Sequence, residues 1–217
     1  MLWARGNGLW DIGNIINFGV RVMDRKEKIK IIIDRLEKIY PQAKTALNFE
    51  TPFQLLVATI LSAQTTDERV NIVTEKLFKK LKTPEDFAKA SLEEIMEMIK
   101  SVNFYRNKAK NIKASAEKII NDFGGNVPKK MEDLITLPGV ARKTANIVLS
   151  EAFGIDEGIA VDTHVKRLAG RLGLTDFDDP VNIEKDLMEN TPKNRWGDLS
   201  NLLIYHGRNV CIAKKPL

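Results

Sequence analysis

The 217-residue sequence has one cysteine, two histidines and no uninterrupted apolar run of about 18 residues. A single thiol excludes an intrachain disulfide framework and fits a reducing cytosol, so a cytoplasmic location is expected. His164 and His206 are too few and too isolated to suggest a metal site, and a hydrogen-bonded structural role is the default for each. Without a long apolar run, no segment reads as a membrane span. Alternation of apolar and polar residues is lacking and no internal repeat is present, which argues against strands and repeat architectures.

What is present is enough for a globular protein. A hydrophobic fraction of 43% supplies a core, and the length fits one domain or two small ones sharing an interface. Lys and Arg (34) exceed Asp and Glu (29), a net charge of +5 that permits nucleic-acid binding without establishing it. Residues 1–22 differ from the rest, with Trp3, Trp10, four glycines and little helical periodicity. Asp11 and Asn14 interrupt any signal-peptide core. Met23 is the expected native start, and 1–22 a non-native or disordered extension.

From Met23 onward nearly everything reads as helix. Ile29, Ile32, Ile33, Leu36 and Ile39 form one stripe over 24–39, which Tyr40-Pro41 ends. Thr51-Pro52 opens a buried helix running to Ser62, Thr66 caps another through Leu81, and Thr83-Pro84 repeats the signal. Ser91-Leu92-Glu93-Glu94 reads as a capping box, and a helix around 109–122 stops at Gly124-Gly125. Further helices flank Leu137 to Val140, follow Asp162 through Arg171, and follow Asp179-Pro180 and Thr191-Pro192. The expected class is all-α.

The chemistry concentrates in Leu137-Pro138-Gly139-Val140-Ala141-Arg142-Lys143-Thr144-Ala145-Asn146. Pro-Gly makes a tight turn opening a helix, and bare N–H groups at a helix start bind phosphate. Lys143 falls in the first turn, where the helix dipole disfavours an ammonium and favours a free amine. Asp162, nineteen residues beyond, reads as an N-cap whose carboxylate is held rigid. An amine nucleophile, a carboxylate and a phosphate cradle together suggest covalent chemistry on a nucleic-acid sugar.

These residues resemble the helix-hairpin-helix, Gly/Pro-Asp signature of the DNA glycosylase superfamily, and specifically the endonuclease III family. Leu61-Ser62-Ala63-Gln64-Thr65-Thr66-Asp67 resembles the family's LSAQ-x-TD segment. Phe104-Tyr105-Arg106-Asn107-Lys108-Ala109 resembles its second DNA-facing loop, and Tyr205-His206-Gly207-Arg208 with Cys211 the start of its iron–sulfur region. The likeness runs from Met23 to Leu217. It implies a two-lobed fold: a six-helix barrel domain at 45–155 containing the hairpin at about 130–153, and a second domain from 23–44 plus 156–217.

The resemblance also implies roles. Lys143 would displace a damaged base through a Schiff base and cut the strand by β-elimination, with Asp162 as its catalytic partner. Gln64 would fill the gap left by the extruded nucleotide and Phe104 would pry the opposite strand, while Leu137, Gly139, Ala141 and Arg142 hold backbone phosphate. Ala141 replaces the family's commoner second glycine and therefore requires a negative φ. Arg142, Lys166, Arg208, Lys214 and Lys215 are expected to form a basic surface. The partner is double-stranded DNA carrying damaged bases or abasic sites, bound by a monomer.

Cys211 matches the first ligand of the family's [4Fe–4S] cluster, patterned C-x6-C-x2-C-x5-C, but the second would fall just beyond Leu217. A truncation is therefore expected, with no cluster assembled on one thiolate. The expected function is a base-excision glycosylase and apurinic/apyrimidinic (AP) lyase acting on oxidised pyrimidines. Two other readings fit the same residues: a mismatch- or purine-directed glycosylase of this fold, and a catalytically impaired DNA-binding remnant.

Overall fold

The computed structural model describes residues 23–214. The expected extension at 1–22 and the last three residues, Lys215 among them, lie outside the described residues. Among those described, every regular element is helical. Lys44–Ala160 forms one compact unit, and the described parts of Met1–Ala43 and Val161–Leu217 form the other. The second crossing falls five residues beyond the expected position, 155.

The middle unit is built around α2 (Pro52–Ser62), where nine consecutive residues, Phe53 to Leu61, are buried. A helix apolar on all sides must be enclosed. It is packed by α3 (Asp67–Lys80), α6 (Tyr105–Phe123) and α8 (Arg142–Phe153). Two shorter helices, α4 (Pro84–Lys89) and α5 (Leu92–Ile99), pack on α6. Phe87 of α4 is fully buried with its ring edge-on to Phe53, centroids 5.4 Å apart. Truncating such a side chain costs about 3–5 kcal/mol.

Side-chain oxygens mark most helix starts. Thr51, Thr66 and Thr83 each accept from a backbone N–H three residues on. The full capping box forms at Thr83, whose own N–H donates to Asp86. At Ser91 only half of the expected box is made. Ser91 accepts from the Glu94 N–H, but the Glu94 carboxylate meets Lys80 Nζ at 2.7 Å instead of reaching back.

Helix α6 starts at Tyr105, four residues earlier than the expected 109, so the segment resembling a DNA-facing loop is its first turn. No cap announces this start: Phe104 precedes it in the left-handed region, φ 57°, without a side-chain bond. The far end closes as expected on left-handed Gly124, with the Gly125 N–H reaching the Ile119 carbonyl at 3.0 Å. The first hairpin helix, α7 (Met131–Leu134), is a single turn.

In the other unit, α1 (Arg25–Ile39) buries Ile29, Ile32, Ile33 and Leu36 as the stripe requires, while Ile39 stays partly exposed. It packs on α10 (Pro180–Asn190) and α11 (Trp196–Asn209), and α11 packs on α9 (Thr163–Arg171). Arg25 pairs with Asp176 and Asp186, and the Asp176 hydrogen bond, foremost, raises its pKa further. Gly207 lies buried where α11 meets α9. A Cβ there would approach Arg167 Nη2 to 3.0 Å and the His164 ring to 3.1 Å.

Candidate active site

Leu137 to Val140 form a turn of type II pattern. The Val140 N–H donates to the Leu137 carbonyl at 3.1 Å, Pro138 stands at the second position, and Gly139 takes φ +78° at the third. Gly139 is needed for a second reason, since a Cβ would come within 2.8 Å of the Asn111 side chain. Helix α6 holds the turn from beneath, where Ser115 Oγ donates to the Pro138 carbonyl at 2.8 Å.

Of the residues expected to hold phosphate, Gly139, Ala141 and Arg142 are exposed. The N–H groups of Gly139 and Ala141 find no acceptor among the described residues. Ala141 takes φ −91° and ψ 167°, so a non-glycine fits unstrained as the N-cap of α8. Leu137 departs from expectation. Its N–H donates to the Leu134 carbonyl and its side chain is buried, so it anchors the turn and presents no free donor. Lys143 is the second residue of α8 and is exposed.

Asp162 caps α9, and one carboxylate oxygen accepts from the N–H groups of His164 and Val165, both at 2.8 Å. The second oxygen is left for other work. In the same unit Lys166, expected on a basic surface, pairs with Asp178 at 2.9 Å, so its charge is already partnered. His206 is buried with its Nδ1 3.4 Å from the Tyr40 hydroxyl, and desolvation lowers its pKa. His164 Nδ1 lies 3.2 Å from Arg167 Nη2.

Gln64 and Phe104, forty residues apart in sequence, are brought together. They are the two non-glycine residues with positive φ among those described, at 55° and 57°. Asn103 Nδ2 donates to the Gln64 carbonyl at 2.5 Å. Phe104 is 62% exposed, a large aromatic left in solvent and not the core residue its type suggests. Two residues given no role of their own from the sequence, Asn103 and Lys108, complete this corner. Lys108 is buried and its Nζ reaches the carbonyls of Leu61 (2.8 Å) and Ala63 (2.5 Å) and the Thr65 hydroxyl (3.3 Å). Burial lowers its pKa to about 8. Their bonds span tens of residues, so no local pattern flags them.

Helix α6 thus serves both surfaces from one stripe. Lys108, Asn111 and Ser115 recur at helical spacing; the first belongs to the Gln64 corner, the last two to the hairpin turn.

Cys211 tests the iron–sulfur expectation. Its sulfur lies 3.1 Å from Arg171 Nη1, and its carbonyl accepts from Arg167. It is the one cysteine in the sequence, and no group of three or more His, Cys, Asp or Glu among the described residues is arranged to hold a metal. A four-thiolate cluster does not fit this donor set.

A type II turn thus opens onto an exposed lysine, with unpaired N–H groups beside it. Residues 57–193 match the family described as HhH-GPD superfamily base excision DNA repair protein. The chain is 54% identical to endonuclease III of Synechocystis sp. (strain ATCC 27184 / PCC 6803 / Kazusa), covering 91% of this chain and 90% of that one. It is 47% identical to endonuclease III of Bacillus subtilis (strain 168), covering 88% and 87%. A solved structure described as a trapped endonuclease III–DNA covalent intermediate, estranged-adenine complex, superposes with TM-score 0.84 at 45% identity, covering 89% and 91%. The chain is therefore a helix-hairpin-helix base-excision DNA glycosylase. It belongs to the endonuclease III family, whose members combine glycosylase and AP lyase activities. No helix among the described residues is long and apolar enough to cross a membrane.

Proposed function

We propose that this enzyme, a cytoplasmic monomer, removes oxidised pyrimidines from duplex DNA with Lys143 as nucleophile. The observation that carries this reading is the placement of Lys143, an exposed amine one residue inside the helix whose approach presents the unpaired N–H groups of Gly139 and Ala141. A phosphate held by those donors brings the adjoining sugar to the amine.

The steps follow from the groups present. Free Lys143 Nζ attacks C1′ of the damaged nucleotide, the C–N bond to the base breaks, and the base leaves with a proton. Attack leaves Nζ a secondary ammonium, which gives up one proton to the departing base; the C1′–O4′ bond then breaks, O4′ takes a proton from water, and nitrogen keeps its remaining proton in a protonated Schiff base. That cation acidifies C2′–H; loss of this proton expels the 3′ phosphate and cuts the strand, and water then releases the lysine. Asp162 keeps a carboxylate oxygen available to stabilise positive charge on the sugar, its other oxygen being fixed by two N–H groups. Gln64 occupies the vacated position in the stack and Phe104 wedges the opposite strand, which its 62% exposure supports. A relative trapped covalently on DNA supports the same route.

The test is borohydride trapping on duplex DNA containing thymine glycol or an abasic site. A covalent adduct that disappears in Lys143→Ala is the expected result. Adduct formation that persists in that variant would overturn the assignment of the nucleophile. Binding without any adduct would reduce the chain to a DNA-binding module.

A further inference from the structure

We infer that Lys108 is a positioning residue whose buried ammonium holds the turn after α2 in the shape that presents Gln64 to DNA, an inference that rests on the wedge role proposed for Gln64. An ammonium removed from water is stable only where its donors are met, and Lys108 meets three acceptors with three N–H groups. Only 6% of the residue is exposed. Its pKa of about 8 leaves it charged near neutrality.

The acceptors explain why a charge belongs there. Helix α2 ends at Ser62, and the last carbonyls of any helix lack intrahelical donors. Around this end the Thr59 carbonyl accepts from Ser62 Oγ, that of Ser62 from the Thr65 N–H, and that of Gln64 from Asn103. The Leu61 carbonyl is left to Lys108, which also shares the Ala63 carbonyl with the Thr65 hydroxyl, at the negative end of the helix dipole. With the backbone engaged on both sides of it, Gln64 is fixed at φ 55° and its side chain stays exposed. A non-glycine residue persists in that region only where its surroundings over-determine it.

An apolar residue filling the same space often serves stability as well as a buried charge does. What an apolar residue would not supply is three directed donors that specify one shape of the turn. Lys108 touches neither the hairpin nor Lys143 in any hydrogen bond, so its effect on chemistry passes through Gln64.

The test uses the full chain and a duplex carrying 2-aminopurine opposite a tetrahydrofuran abasic analogue, in which a fluorescence rise reports wedge insertion. Lys108→Met should slow that rise roughly tenfold or more, the scale of losing hydrogen bonds from a charged group. Affinity for undamaged duplex should stay at the unsubstituted level, because the hairpin is untouched, and Lys108→Arg should recover part of the rate. Asn103→Ala removes one exposed bond and should slow the rise roughly threefold.

If Lys108→Met loses duplex affinity and insertion rate in parallel, the role is general stability and the inference is overturned. If that variant does not fold, Lys108→Arg and Asn103→Ala decide, and normal rates in both overturn it. Gln64→Ala separates the two readings. A slow rise there with normal rises in the Lys108 and Asn103 variants overturns this inference alone. A normal rise in Gln64→Ala overturns the wedge role and the inference with it.

Discussion

Asn103 donates its side-chain amide to the backbone carbonyl of Gln64, joining two exposed corners of the middle unit that both rest in left-handed backbone. Left-handed geometry for an ordinary side chain costs about 1–2 kcal/mol. The two stand side by side, both in the segments that resemble the DNA-facing parts of endonuclease III, and such outliers persist only where their surroundings over-determine them.

Relief of that strain should be measurable. Asparagine tolerates the left-handed region and adds little unfolded-state entropy, so Phe104→Asn should raise stability by up to about 1 kcal/mol. The same change removes the wedge and should lower base release from damaged duplex. Denaturant unfolding together with single-turnover base release checks the pair. Lower stability with unchanged base release would show that Phe104 is held for packing alone.

Asp162 carries a structural and a chemical role that two substitutions separate. Asparagine caps helices about as well as aspartate, so Asp162→Asn should leave the thermal midpoint near that of the unsubstituted protein while reducing adduct formation. Asp162→Ala should lose both, with a stability cost of about 1 kcal/mol. Equal activity in the Asn variant and the unsubstituted protein would confine Asp162 to capping.

Gly139 is constrained twice, by φ +78° and by Asn111 at 2.8 Å from a built Cβ. Gly139→Ala should destabilise by roughly 1–3 kcal/mol and weaken binding to any duplex, damaged or not. Adding Asn111→Ala should recover the part due to the clash and leave the part due to φ. Salt titrations of binding would show whether a phosphate contact went with it.

His206 gives a pH signature. Burial lowers its pKa below the ordinary 6.5, so between 6.5 and the lower folded value the unfolded chain binds more protons than the folded one. Stability is then full above 6.5 and is lost as pH falls through that window. His206→Gln should flatten the acid limb of urea midpoints measured from pH 7 to 5, and an identical slope in both proteins would dismiss His206 as its source.

Most helix starts were legible because a side-chain oxygen announces them: Thr51, Thr66, Thr83, Asp162 and Asp179 all accept backbone N–H groups where the pattern places them. The start of α6 was not, since Phe104 offers no oxygen and adopts a conformation its residue type disfavours. The Ser91 box failed for a tertiary reason, Lys80 having taken Glu94. At the site, turn chemistry exposed the Pro138-Gly139 hairpin and Lys143, whereas Lys108 and Asn103 act across a fold that local patterns do not encode. Leu137 shows the reverse case, a motif residue whose N–H is already given to the Leu134 carbonyl at the end of α7.

Helix α6 also behaves as a gauge. Lys108 and Ser115 are seven residues apart, about 10 Å of helix rise, and each grips a different loop. The interval between the turn after α2 and the hairpin turn is therefore set by helical pitch and not by loop slack. One residue added between them would rotate the two grips apart by about 100°, so both could not hold at once. Length changes are therefore closed to the stretch of α6 between Lys108 and Ser115.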